Sequence, residues 1–282
     1  MGAISGLDDA INKLTGGNNG NPELIWMMKT NRIGAAAAAT PVIARYTSLW
    51  GYNGNPCGGA TPGGTARNPT NSTNGALRQT DASGGRTKYL TGAVVTSRTQ
   101  GSFFLYDRLA DISGLSGTTT TAQNTTSLSV SRYTGTSSVG NEIWVEIYTA
   151  VGGSATTIKA SYTNQAGTAG QITPLVIFGG TNDSEATRMF RLPLAAGDTG
   201  VRSVESVTVT ATTGTAGDFG VTIARKHALI TMAYDGTWGV LDLLTGKPGP
   251  VAIASGACLA LIGVFRAATV SEVTLGCQFI EA

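Results

Sequence analysis

Several residues in this chain have side chains that catalysis or metal binding could use. The only histidine, His227, stands between Arg225 and Lys226. An imidazole there could move protons, but no nucleophile on a sharp strand-to-helix turn accompanies it. The sequence therefore places His227 at a loop or strand end, outside any catalytic set. Two carboxylate pairs are closely spaced, Asp107 with Asp111 and Asp183 with Glu185. Such pairs serve as glycosidase acids or calcium ligands. Neither lies in an Asp-rich loop or an aromatic-lined context, so neither is assigned to a reaction or a metal. Cys57, Cys258 and Cys277 lack the spacing of a zinc site or a redox pair. Gly152-Gly153 and Gly179-Gly180 follow strands without opening a helix, which makes them turn glycines and not phosphate loops. The expectation is a protein that is not an enzyme, with no catalytic residue, cofactor or metal.

The elements that carry these residues read as strands. Ile143, Val145 and Ile147 alternate with Glu142, Trp144, Glu146 and Tyr148, the pattern of a half-buried strand. Its polar and aromatic face suits a sugar platform or, more readily, a subunit contact, because aromatics are enriched in interface cores. Ile158, Ala160 and Tyr162 alternate next, and the Gly152-Gly153 turn predicts a hairpin between these two strands. Phe103 to Tyr106 is a dense apolar strand that the sequence ends on the charged pair Asp107-Arg108. Further strands are predicted near residues 90–96, 174–178, 188–194, 204–211, 219–224, 229–234, 238–244, 257–265 and 273–279. Pro193 pushes its strand towards a sheet edge, and Asp235-Gly236 is a hairpin-turn signal. Cys258 and Cys277 sit inside apolar strands and read as small core hydrophobes. Short strands with regular turn signals predict a mainly β protein, an antiparallel β-sandwich of jelly-roll type, over residues 89–282.

Residues 1–88 read differently, as an extended N-terminal arm. Ile4, Leu7, Ile11 and Leu14 recur at helical spacing, with Asp8 and Asp9 in the first turn and Gly16-Gly17 after the end. This short amphipathic helix is either a satellite of the body or an anchor for a partner's groove. A second apolar island contains Leu24, Trp26, Met27 and Met28, and a third contains Leu49, Trp50 and Tyr52. An alanine run at 35–39 suits helix or extended chain. Residues 53–88 turn to Gly, Pro, Asn, Thr and Ser, an irregular stretch whose length marks a functional segment or a linker. Sticky islands between polar spacers make Leu7, Ile11, Leu14, Trp26, Met27, Met28, Trp50 and Tyr52 the expected partner-binding residues.

Composition narrows the function. Of 282 residues, 39 are glycine and only 13% are charged, about half the usual share. A body so poor in charge suits burial in an assembly. The net charge of +2, with no basic run, argues against direct nucleic-acid binding. The N-terminus lacks a basic region followed by an apolar core, so no signal peptide is expected. The longest apolar run, 251–265, is too short for a membrane span of about 20 residues.

Several segments together resemble a group of tailed-bacteriophage virion structural proteins encoded among head genes. They are Leu-Tyr-Asp-Arg-Leu at 105–109, Gly-Leu-Ser-Gly-Thr at 114–118, Arg-Tyr-Thr at 132–134 and Glu-Ile-Tyr-Thr at 146–149. Ser-Tyr-Thr-Asn-Gln at 161–165, Ala-Gly-Asp-Thr-Gly-Val-Arg-Ser-Val at 196–204 and Gly-Leu-Asp-Asp-Ala-Ile-Asn at 6–12 belong to the same set. The resemblance implies a virion component and carries over no active site. From it we expect a capsid decoration (cement) protein, made in the host cytoplasm and placed on the capsid exterior. Its expected partners are the major capsid protein and itself, as a homotrimer, with no membrane contact. The alternative expectation is a tail or fibre-associated β-sandwich that binds host surface glycans through Trp144 or Trp238.

Overall fold

The computed structural model describes residues 4–31, 40–181, 183–246, 248–268 and 272–282, so the alanine run at 35–39 lies outside the described residues. Among the described residues the first third holds one α-helix, α1 (Leu7–Leu14), and strands β1 (Glu23–Thr30), β2 (Tyr46–Ser48), β3 (Asn53–Asn55) and β4 (Lys88–Ser97). Then come β5 (Gly101–Leu115), β6 (Gln123–Ser129), β7 (Asn141–Thr149), β8 (Thr156–Asn164), β9 (Gln171–Ile172) and β10 (Val176–Phe178). The last third holds β11 (Met189–Leu192), β12 (Val201–Val209), β13 (Asp218–Thr231), β14 (Trp238–Asp242), β15 (Val251–Ile253), β16 (Leu259–Phe265) and β17 (Glu272–Glu281). Among the described residues no helix is long and apolar enough to cross a membrane.

The chain is mainly β, and every strand pairing among the described residues is antiparallel. The sandwich expected from the alternation is present in an extended form with three sheets. A central sheet runs β11-β7-β13-β5-β16-β2. A large outer sheet runs β14-β4-β17-β1-β3, with β15 also on β4, and a small outer sheet runs β10-β8-β12-β6, with β9 on β8. The long strands β5 and β13 serve both layers. Ile112, Val145, Val221 and Ile223 pack against Leu128, Tyr162, Val204 and Val207 of the small sheet. Phe103, Leu105, Ile230 and Leu261 pack against Leu90, Val95, Leu275 and Phe279 of the large one.

The strand after Phe103 does not stop at Asp107-Arg108. It runs on to Leu115, because both charges are buried and paired. Its pairing with β13 steps from Arg108 to Ala110, so Leu109 is an extra residue, a bulge that flips the alternation beyond it. Arg108 and Asp111 thereby face the same side. β7 and β8 do not form the expected hairpin. β7 lies in the central sheet, while β8 crosses to the small one and pairs with β9, β10 and β12. The strands predicted at 219–224 and 229–234 fuse into β13, and its pairing skips His227, so the histidine sits at a mid-strand bulge and not at a strand end. β11 is an edge strand, as Pro193 predicts.

The largest correction concerns residues 1–88. They do not form an arm apart from a body that starts at residue 89. β1 is an inner strand of the large sheet, paired over its whole length with β17 and also with β3. β2 closes one edge of the central sheet on β16. Met27, Leu49 and Tyr52 belong to the core between the large and central sheets, and Trp50 is buried on the far face of the central sheet. An irregular stretch lacks the periodicity that reveals burial, and its packing here runs through backbone groups and single anchors.

Deleting residues 2–88 therefore removes an inner strand and several core side chains at once. Each large apolar side chain contributes about 1.5–3 kcal/mol on burial, so the loss is on the scale of the whole 5–15 kcal/mol that holds an ordinary domain together. We expect the truncated chain to show no cooperative thermal transition by circular dichroism. A truncated chain with a sharp transition near that of the full chain would contradict this fold.

Candidate interaction surface

The residues singled out for chemistry are held in place by charge pairing and burial. Arg108, fully buried, lies at the centre. Its Nε donates to Asp111 Oδ2 at 2.5 Å and its Nη1 to Glu146 Oε2 at 2.7 Å. Its Nη2 donates to the Tyr148 hydroxyl at 2.7 Å, and that hydroxyl donates to Glu146 at 2.9 Å. Thr222 adds a third donor to the same carboxylate oxygen. Burial opposes the charge on Arg108, but Glu146, Tyr148 and Asp111 around it hold the guanidinium protonated. Asp107 points elsewhere, to Arg132 and the Cys258 amide. Burial raises its carboxyl pKa, and Arg132 opposes that rise.

The irregular segment covers this network. Trp50 lays its ring 4.6 Å from the Arg108 guanidinium carbon. Its indole nitrogen donates to the Ala60 carbonyl, and any Cβ at Gly59 or Gly75 would strike the ring. Arg67 exchanges two backbone bonds with Asp111 at 3.0 Å and pairs with its carboxylate. Gly63 accepts from the Ser113 amide, and Leu77 donates to the Leu259 carbonyl. The strand face bearing Glu142, Trp144, Glu146 and Tyr148 was expected to meet sugar or a subunit. Its residues are engaged within the chain instead: Trp144 is buried in a cluster with Trp50 and Ala76, Glu142 pairs with Arg191 and Lys226, and Glu146 and Tyr148 hold Arg108.

The second carboxylate pair is likewise engaged. Arg188 holds Asp183 at 2.7 Å, and Arg45 holds Glu185 at 3.1 Å. Cys258 and Cys277 are buried free thiols, and burial pushes both pKa values up. Cys57 is exposed. The His227 ring lies 6.1 Å from Tyr133, and its Nε2 is buried without a hydrogen-bond partner among the described residues.

Of the eight expected partner-binding residues, Met27, Trp50 and Tyr52 are core and cannot touch a partner. Leu14 is half-buried. Leu7 and Ile11 are exposed at 52% and 48% on α1, whose Ala10 is buried against the body. Trp26 and Met28 alternate outward from β1 on the solvent face of the large sheet. There they meet residues that the sequence reading left apart. Trp26 lies opposite Gly276, which lies opposite Val94, which lies opposite Val240. Trp238 comes from the next row, and its ring stands edge-on to Trp26 with centroids 6.4 Å apart. Beside this pair, a groove of about 340 Å³ runs over Gly92 and Gly276 between Leu24 and Val240. Glycines on one strand face leave room above a sheet, and that is the signal in the sequence that points here.

No family model matches the chain, and no curated protein does. Among solved structures, the chain is similar to the infectious bursal disease virus VP2 subviral particle at 11% identity and a TM-score of 0.20, over 93% of this chain and 81% of that one. A structure of the Gt strain of the same virus gives 9% identity and a TM-score of 0.20, with the same coverage. Likeness at this level carries no argument here.

His227 sets a pH dependence. Burial, with Arg225 nearby, pushes its pKa down to about 3 from the usual 6.5. The folded ring stays neutral while the unfolded ring takes a proton, so stability is full above pH 6.5 and falls as pH drops towards 3. Compared with wild type, His227→Leu should show a flatter profile of unfolding free energy between pH 6.5 and 4. The slope should be smaller by about 1.4 kcal/mol per pH unit at most. Parallel profiles in urea titrations would show that His227 is not the group responsible.

Proposed function

We propose that this chain is a structural component of a phage virion that works by binding and not by catalysis, as a decoration protein docked on the capsid exterior. The observation that carries this reading is α1. The helix is fixed to the folded body through Ala10, yet it turns Leu7 and Ile11 to solvent. None of the helix's residues belongs to the three core clusters. Its exposed stripe fits the anchor role, in which an amphipathic helix enters a groove on the major capsid protein. The motif resemblance and the 13% charged composition support the same reading. So does the way its two carboxylate pairs are spent on internal ion pairs. Self-association as a trimer suits the local three-fold positions of a shell.

The double variant Leu7→Ser, Ile11→Ser tests this on shells assembled without the chain. Each side chain is already half-exposed, so folding should be nearly unaffected. Losing both contacts removes about 2 kcal/mol of docking energy, roughly a 30-fold weakening. Cryo-electron microscopy should show occupancy falling while the melting temperature holds. Full occupancy by the variant would reject α1 as the anchor.

A further inference from the structure

The groove on the solvent face of the large sheet has the make-up of a ligand site, and it does not involve α1. Four strands build it from positions far apart in sequence. β1 and β14 raise its walls, and β4 and β17 form its floor. Neighbouring strands lie about 4.8 Å apart, so the walls stand roughly 14 Å from one another at the backbone. The floor is low because Gly92 and Gly276 present no side chain. A Cβ at Gly276 would fall 2.8 Å from the Trp26 ring, so that glycine also lets the indole lie down over the sheet. Trp26 and Trp238 remain 46% and 56% exposed, and Val240 73%.

The polar side chains along the groove are few: Thr91, Gln278 and Asp242. Gln278 is exposed, and its side-chain amide engages no partner among the described residues. Asp242 is exposed too. The Thr245 hydroxyl and the Thr245 and Leu244 amides lower its pKa and keep it ionised. Among the described residues no lysine or arginine lines the groove, and the charge that does line it, Asp242, is an acceptor that attracts hydroxyl donors and repels anions. Indole surface, a carboxylate and an unengaged amide complement one ligand chemistry well, a neutral pyranose. Such a ring offers an apolar C–H face for tryptophan and a rim of hydroxyls for Asp242 and Gln278.

We infer that the groove over Gly92 and Gly276, beside the Trp26–Trp238 pair, is a carbohydrate-binding site for neutral hexose glycans. A volume of about 340 Å³ is at the small end for ligand sites, which fits one or two sugar rings of a longer chain. This inference stands apart from the docking of α1, and either can fail without the other.

The test titrates the intact protein with gluco-, galacto- and manno-configured neutral trisaccharides, with a sialylated trisaccharide as the anionic control. Binding is read by tryptophan fluorescence and by NMR saturation transfer. We expect saturable binding of at least one neutral trisaccharide with a dissociation constant below roughly 10 mM, and none of the sialylated one. Trp238→Ala should weaken binding by about tenfold or more. Gly92→Val should do the same by filling the floor. A Cβ at Gly92 has its nearest neighbour at 3.5 Å, so this variant folds even if the tryptophan variant does not. The double variant Leu7→Ser, Ile11→Ser should bind sugar as wild type does. The inference is overturned if no neutral trisaccharide binds, if Gly92→Val binds undiminished, or if the sialylated sugar binds more tightly. It is also overturned if both exposed tryptophans become protected on shells while no sugar binds in solution, which would make this face a protein contact.

Discussion

A guanidinium buried inside a β protein must be paired, and it must be covered. Arg108 meets both demands, and much of the structure follows from them. Removing one partner of a buried ion pair costs about 3–5 kcal/mol, because the other charge stays in low dielectric. Arg108 therefore needs Asp111, which only the bulge at Leu109 brings to its side. It needs Glu146 and Tyr148 from β7, so the pairing of β7 with β13 must hold its register. It also needs a lid that excludes water, and Trp50 with residues 59–77 supplies one. The low charge of the chain fits this use, since a good part of that charge is spent inside.

This arrangement divides the molecule's faces. One face of the central sheet is shared between the two outer sheets, and the lid covers Arg108 on the other. The outer side of the large sheet stays open, and there Leu24, Trp26, Met28, Trp238 and Val240 are exposed. Exposed apolar groups gathered in one place mark binding surfaces more reliably than single exposed side chains do. A rigid sheet is a good platform for them, since the residues beneath are core and their alternation fixes which side chains point out. The exposed stripe of α1 adds a second surface on a different element.

How much of this was legible in the sequence depended on periodicity. The alternation at 143–147 placed Ile143, Val145 and Ile147 inside, where they are, and the apolar context placed Cys258 and Cys277 in the core. The Asp235-Gly236 signal fell at the turn between β13 and β14, where Gly236 has a positive φ of 69°. Two kinds of fact were hidden. Charge inside a strand reads as a strand end, so the continuation of β5 past Asp107-Arg108 was missed. A lid without periodicity reads as a linker, because its contacts are backbone bonds and the stacking of two glycines on one indole. Trp26 and Trp50 looked alike in sequence, yet one points to solvent and the other is sealed. The groove was invisible for another reason. It joins Leu24, residues 91–94 and 240–242, Gly276 and Gln278, and only strand pairing brings them together.

The central claim is that the segment over Arg108 is part of the cooperative fold and not an attached arm. Native-state hydrogen exchange measures this residue by residue. The amides of Gly59, Arg67 and Leu77 bond to Trp50, Asp111 and Leu259. The account predicts that they open with the same free energy as the β5 and β13 amides, only on global unfolding. If these three exchange at a much lower free energy while β5 stays protected, the lid is a separable piece and the account is wrong.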